Sequence, residues 1–278
     1  MKTLLVLSAL LPHLALAAPA GKTFQHVVVV VLENTNYEEA LRQPFMAGLA
    51  KQGASLANFD AEAHPSQPNY IAMISGSTQG VTGDRNVNLD GRHLGDLLEE
   101  KGYDWRVYAE GYPGNCFLDA SRGDYARKHV PFLSFRNVQN DPARCAKVVN
   151  ASQFDVDVAG HLPEYALYIP DLRNDGHDTS AAYADRWLRG KFEHLLADPA
   201  FAKDTLFVLT FDENDDMFGQ GSRNQVYTAL VGSMVRAGAA PMDHYSHYSL
   251  LRTIEDNWAL GQITRGDAEA PAISGIWQ

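Results

Sequence analysis

Cysteine is scarce in this chain: Cys116 and Cys145 are the only two in 278 residues. The count excludes a Cys/His zinc finger, and with none near the amino terminus no lipoprotein anchor is expected. Basic residues are also few, 23 lysines and arginines against 34 acidic residues, for a formal charge of −11. An acidic surface is unsuited to nonspecific nucleic-acid binding, although a phosphate ester can bind where a cation neutralises an acidic site. The apolar stretch Leu4 to Leu16 is too short to span a bilayer comfortably, and no stable membrane anchor is expected in the mature sequence. No internal repeat or interdomain linker stands out. No G-x-S-x-G elbow surrounds Ser66, which weighs against a metal-free Ser-His-Asp esterase.

The first residues, Met1-Lys2-Thr3, the apolar stretch and the small residues behind it read as a secretory signal peptide. Ala15-Leu16-Ala17 and Ala18-Pro19-Ala20 both fit a cleavage site, so the signal is expected to cover residues 1–17, with 20 as the alternative boundary. Residues 21–278 are expected to form one domain, exported to the periplasm or the medium. In that oxidising setting Cys116 and Cys145 are expected to form one disulfide.

His26 to Leu32 contains five consecutive valines, the pattern of a strand buried on both faces. Tyr37 to Lys51 has helical spacing, with Gly53 as its stop. Further helices are predicted over Pro68 to Ser75, Asp90 to Lys101, Ala181 to Leu196 and Ser246 to Trp258. Strands are predicted over Asp104 to Ala109, Tyr165 to Ile169, Thr205 to Phe211 and Gln225 to Val231. Glu110 to Asn150 shows no clear periodicity and reads as an irregular excursion clipped by the disulfide. Strands alternating with helices predict an α/β fold, a mostly parallel central sheet covered on both faces, with its site at the carboxyl ends of the strands.

Chemistry-bearing residues collect where such strands end. Glu33-Asn34 follows the valine strand and offers a carboxylate and an amide oxygen to a hard cation, against an ordinary helix cap. Asp212-Glu213-Asn214-Asp215-Asp216 follows another core strand; a solvated turn is the plain reading, but so many crowded oxygens favour a cation. Asp171 to Asp178 lacks the spacing and terminal glutamate of an EF-hand, and its candidates are His177 and Asp178. Two histidines, His244 and His247, precede the last helix, and His247 is the stronger candidate. The loop His64-Pro65-Ser66-Gln67-Pro68-Asn69-Tyr70 puts a serine at a helix start, where backbone N–H groups favour anions. Asn69, Asp178, Lys128 and His129 are candidate substrate contacts, the last two with a surface reading of at least equal weight.

Taken together, Glu33-Asn34, His64 to Tyr70, Asn174-Asp175-Gly176-His177-Asp178, Thr210-Phe211-Asp212-Glu213 and His247 to Glu255 resemble the phosphoesterase family of bacterial acid phosphatases and phospholipases C, within the alkaline-phosphatase-like superfamily. The likeness runs in order along nearly the whole mature chain. It implies Ser66 as nucleophile, Glu33, Asn34, Asp212 and Glu213 as metal ligands, and His64, His177 and His247 as catalytic histidines. Where two-zinc members of the superfamily carry Asp-His, this chain has Asp212-Glu213. That oxygen-rich set implies one calcium, magnesium or manganese ion in place of two zincs. The implied activity is hydrolysis of a small phosphate monoester through a phosphoserine. A phospholipase C or phosphodiesterase on the same fold, and a non-catalytic phosphate-binding module, are the alternatives.

Overall fold

A computed structural model describes residues 21–215 and 223–278. The expected signal peptide lies outside the described residues. A seven-stranded sheet forms the centre, built from β1 (His26–Leu32), β2 (Ala54–Ser55), β3 (Trp105–Ala109), β4 (Val148–Asn150), β5 (Tyr165–Ile169), β6 (Thr205–Phe211) and β7 (Thr228–Val231). The spatial order is β2-β7-β6-β1-β5-β3-β4. β6, β1, β5, β3 and β4 run parallel, while β7 is antiparallel to both β6 and β2.

β1 is central because its valines have no polar side. Val27, Val28, Val30 and Val31 are fully buried, and Val29 nearly so. Such a strand must be flanked by strands and covered on both faces. Its parallel register with β6 pairs Val30 with Leu209 and Leu32 with Phe211. Glu33 and Asp212 are the next residues on each strand, and the Asp212 N–H donates to the Leu32 carbonyl at 3.0 Å. The register itself therefore brings two carboxylates together at one end of the sheet.

The helices around the sheet include α1 (Tyr37–Leu41), α2 (Pro44–Gln52), α3 (Ser66–Ser75), α4 (Leu94–Glu100), α5 (Ala181–Leu196) and α6 (His247–Trp258). The single helix expected over Tyr37 to Lys51 is broken in two, because Pro44 has no N–H to donate and its ring opposes the preceding turn. Every residue of α3 is buried, and it ends at Gly76, whose φ of 64° suits glycine best. α3 packs beside α6. The Ser246 hydroxyl accepts from the Tyr248 N–H and so caps α6. α5 presses Phe192 against Phe207, Tyr168 and Phe154, with ring centroids 5.2–5.9 Å apart.

The segment from Glu110 to Asn150 is more ordered than its sequence suggests. It carries the hairpin Ser121–Arg122/Tyr125–Ala126 and several short helical turns, then ends as β4, an edge strand of the main sheet. Three residues are too short for a recognisable strand pattern. Cys116 and Cys145 form the expected disulfide, with Cα atoms 5.6 Å apart. The Arg127 guanidinium donates to the carbonyls of Leu118, Val87 and Leu133 at 2.7–3.0 Å. These bonds fix the turn that carries Lys128 and His129.

Candidate active site

Ser66 opens α3 immediately after Pro65, whose extended backbone precedes the helix. Its Oγ lies 3.0 Å from Glu33 Oε2 and 3.1 Å from Glu213 Oε1. A hydroxyl has one hydrogen, so it donates to only one of these oxygens at a time. Glu33 Oε1 accepts from the Tyr70 hydroxyl at 2.6 Å and lies 3.2 Å from His129 Nε2. Tyr70 stands four residues after Ser66, on the same face of α3. Its ring stacks on His129 at 4.9 Å, and His129 Nδ1 lies 3.8 Å from Asp175 Oδ2.

Asn34 has a positive φ of 38°, a conformation asparagine tolerates better than most residues. The turn aims its N–H at Asp212 Oδ1 (3.2 Å) and its side-chain amide at Glu213 Oε1 (3.1 Å). His64 Nδ1 pairs closely with Glu213 Oε2, and the His64 side chain is 29% exposed, which opens this edge to solvent.

Three carboxyls in one buried place repel one another. Burial raises Glu33 above its ordinary pKa. Burial, followed by Glu33 and Glu213, holds Asp212 well above its own. Burial raises Glu213 too, against the opposing pull of His64. Asp175 is pushed up to about 9, by burial first and then by Glu33. Burial and the neighbouring Lys128 hold His129 well below the usual histidine range. Burial opposes the Lys128 charge, but Glu33, Asp84 and Asp212 outweigh it and raise its pKa.

Asn34 Oδ1 and Asp212 Oδ2 are buried without a hydrogen-bond partner. Two orphaned oxygens beside three mutually repelling carboxyls fit a hard cation chemically. Among the described residues no three His, Cys, Asp or Glu side chains already stand as a finished metal shell. Glu33 and Glu213 meet instead through the Ser66 hydroxyl.

The structure thus gathers Glu33, Asn34, His64, Ser66, Asp212 and Glu213, with Lys128 and His129 beside them. The other candidates are placed differently. His247 is fully buried behind the cluster, its Nε2 2.8 Å from the Asp212 carbonyl and its ring edge-on to Phe59. Burial lowers its pKa to about 4, so it is neutral. His177 and Asp178 pair with each other at 2.6 Å on the exposed rim. Asn69, expected to contact substrate, is turned inward. Its carbonyl oxygen accepts from the Glu62 and Ala63 N–H groups, and its amide donates to the Ala63 carbonyl. It shapes the loop that leads to Ser66. Tyr70 and Asp175 belong to the site's surroundings without having been singled out from sequence. Tyr70 was readable from its four-residue spacing to Ser66. Asp175 lies inside a recognised motif, and only its burial distinguishes it.

The sheet order and this carboxyl-end site define an α/β fold of the alkaline-phosphatase kind. The structure is similar to that of a protein in the alkaline phosphatase superfamily from Vibrio parahaemolyticus, with a TM-score of 0.59 at 12% identity, covering 88% of this chain and 69% of that one. The chain belongs to the phosphoesterase family, whose profile matches residues 39–261. It is 36% identical over 266 residues to a probable acid phosphatase of Kluyveromyces lactis, covering 91% of this chain and 62% of that protein. It is 38% identical over 273 residues to a phosphatidylinositol-3-phosphatase of Mycobacterium tuberculosis, covering 96% of this chain and 87% of that protein. This chain therefore spans less than two thirds of the yeast relative's length.

Proposed function

We propose that this protein is an exported, cation-dependent phosphomonoesterase of the acid-phosphatase type, with Ser66 as its covalent nucleophile. The observation that carries the reading is the Ser66 hydroxyl, set at the start of a buried helix within 3.0–3.1 Å of two carboxylates. The names of the yeast and mycobacterial relatives, an acid phosphatase and a phosphatidylinositol-3-phosphatase, support a phosphate monoester as substrate in preference to a diester. The amino-terminal apolar stretch and the disulfide support export.

Glu33, Asn34, Asp212 and Glu213 would hold a calcium, magnesium or manganese ion. Once bound, it supplies positive charge that favours the Ser66 alkoxide and offsets the carboxylate repulsion. The remaining chemistry belongs to the chain. Ser66 passes its proton to Glu213, and Oγ forms a bond to phosphorus as the bond from phosphorus to the leaving oxygen breaks. His64, paired with Glu213 at the open edge, returns a proton to the leaving alcohol. Lys128 neutralises charge on the transferring group. Water then cleaves the phosphoserine, releasing inorganic phosphate and restoring the hydroxyl. Ser66→Ala should abolish turnover of p-nitrophenyl phosphate while leaving the circular dichroism spectrum and melting temperature close to wild type. Substantial retained turnover would remove Ser66 as the nucleophile.

A further inference from the structure

The Gln67 N–H and the Lys128 ammonium share one acceptor. Gln67, next after the nucleophile, donates to Asp84 Oδ1 at 3.0 Å, and Lys128 Nζ lies 2.7 Å from Asp84 Oδ2. Asp84 stands on the loop between α3 and α4 with its side chain 33% exposed. A backbone amide at a helix start and an ammonium are the donors that an oxygen of a phosphoryl group on Ser66 would take. In this structure a carboxylate of the chain itself takes both.

We infer that Asp84 is a specificity-determining residue, a built-in anion that holds the phosphate position until substrate displaces it. The inference rests on the phosphoesterase reading above. Gln67 and Lys128 must give up their Asp84 contacts before any substrate forms its own. A dianionic phosphomonoester regains charge-assisted bonds to Gln67 and Lys128 more fully than a monoanionic diester. Asp84 then penalises the diester more than the monoester. Inorganic phosphate, the product, faces the same competitor and leaves more readily.

A competing carboxylate and a merely supporting one predict opposite results. Asp84→Asn keeps an oxygen for the Gln67 N–H and frees Lys128. Calorimetric titration of inorganic phosphate into the manganese-loaded protein should then show binding about tenfold tighter than wild type. The ratio of kcat/KM for p-nitrophenyl phosphate over bis(p-nitrophenyl) phosphate should fall in the same variant. Unchanged or weaker phosphate binding would overturn the inference and leave Asp84 as a support for Lys128. Asp84→Ser provides the same comparison should the asparagine variant fold poorly. Lys128→Met separates the two levels: it should lose phosphate affinity if the anion sits where the functional reading has it. Phosphate binding unaffected by Lys128→Met would overturn that placement and this inference with it. Loss there combined with no gain in Asp84→Asn would overturn the inference alone.

Discussion

The two oxygens of Glu33 have different employment. Oε1 is tied by the Tyr70 hydroxyl and faces His129, whereas Oε2 meets Ser66. In the proposed mechanism Tyr70 is thus a positioning residue, holding the carboxylate in the rotamer that leaves one oxygen for Ser66. Tyr70→Phe keeps the ring that stacks on His129 and deletes only the hydroxyl. Because such outer partners typically change metal affinity by about 10–100-fold, manganese binding should weaken by that order in calorimetry, at nearly wild-type melting temperature. At this scale the sequence was most legible where a side chain directly follows a core strand. Glu33, Asn34, Asp212 and Glu213 could be singled out because the valine-rich and Phe207–Phe211 strands end at known places. Asp84 carried no such mark, since its importance comes from a loop docking on a helix start. Asn69 misled because a polar residue beside the proposed nucleophile looks free, yet its amide is committed to the loop backbone.

Among the elements, the excursion that carries Lys128 and His129 is held by Arg127 and by the Cys116–Cys145 disulfide. The disulfide bridges residues 29 apart in sequence. Closing a loop of that length in the unfolded chain is worth about 3–4 kcal/mol in the chain-entropy picture. Replacing both cysteines by serine should lower the urea midpoint and steepen the urea dependence, because the uncrosslinked chain exposes more surface when unfolded. An unchanged midpoint would show that Arg127 and the edge strand suffice to hold the segment. Long elements were legible here because their periodicity is sustained: α5 was expected over Ala181 to Leu196 and spans those residues. Short ones were not. β4 has three residues, and whether Val148–Asn150 joins a sheet depends on β3 beside it, not on its own pattern.

For the molecule as a whole, buried titrating groups make stability depend on pH in both directions. His247 has its pKa lowered to about 4 by burial, against an ordinary value of 6.5. Between those values the unfolded chain binds a proton that the fold refuses, so stability falls as pH drops from about 6.5 to 4, by up to roughly 3 kcal/mol from this group. The raised carboxyls act oppositely: Asp175, pushed up to about 9, contributes stability at low pH that is lost as pH rises toward 9. Comparing His247→Gln with wild type isolates the first effect. The variant should lose less stability than wild type between pH 7 and pH 4.5 in urea unfolding; parallel losses would mean that His247 is not neutral in the fold. The parallel sheet was legible from alternating strands and helices. The antiparallel setting of β7 was not, because strand direction is decided by the connection and not by composition.

Covalent transfer to Ser66 is most directly tested by rapid acid quench of the manganese-loaded protein during turnover of a phosphomonoester, followed by peptide mass spectrometry. We expect a phosphate on Ser66, formed as fast as the first equivalent of alcohol is released. A burst of alcohol with no phosphate on Ser66, or phosphate on a histidine instead, would contradict it.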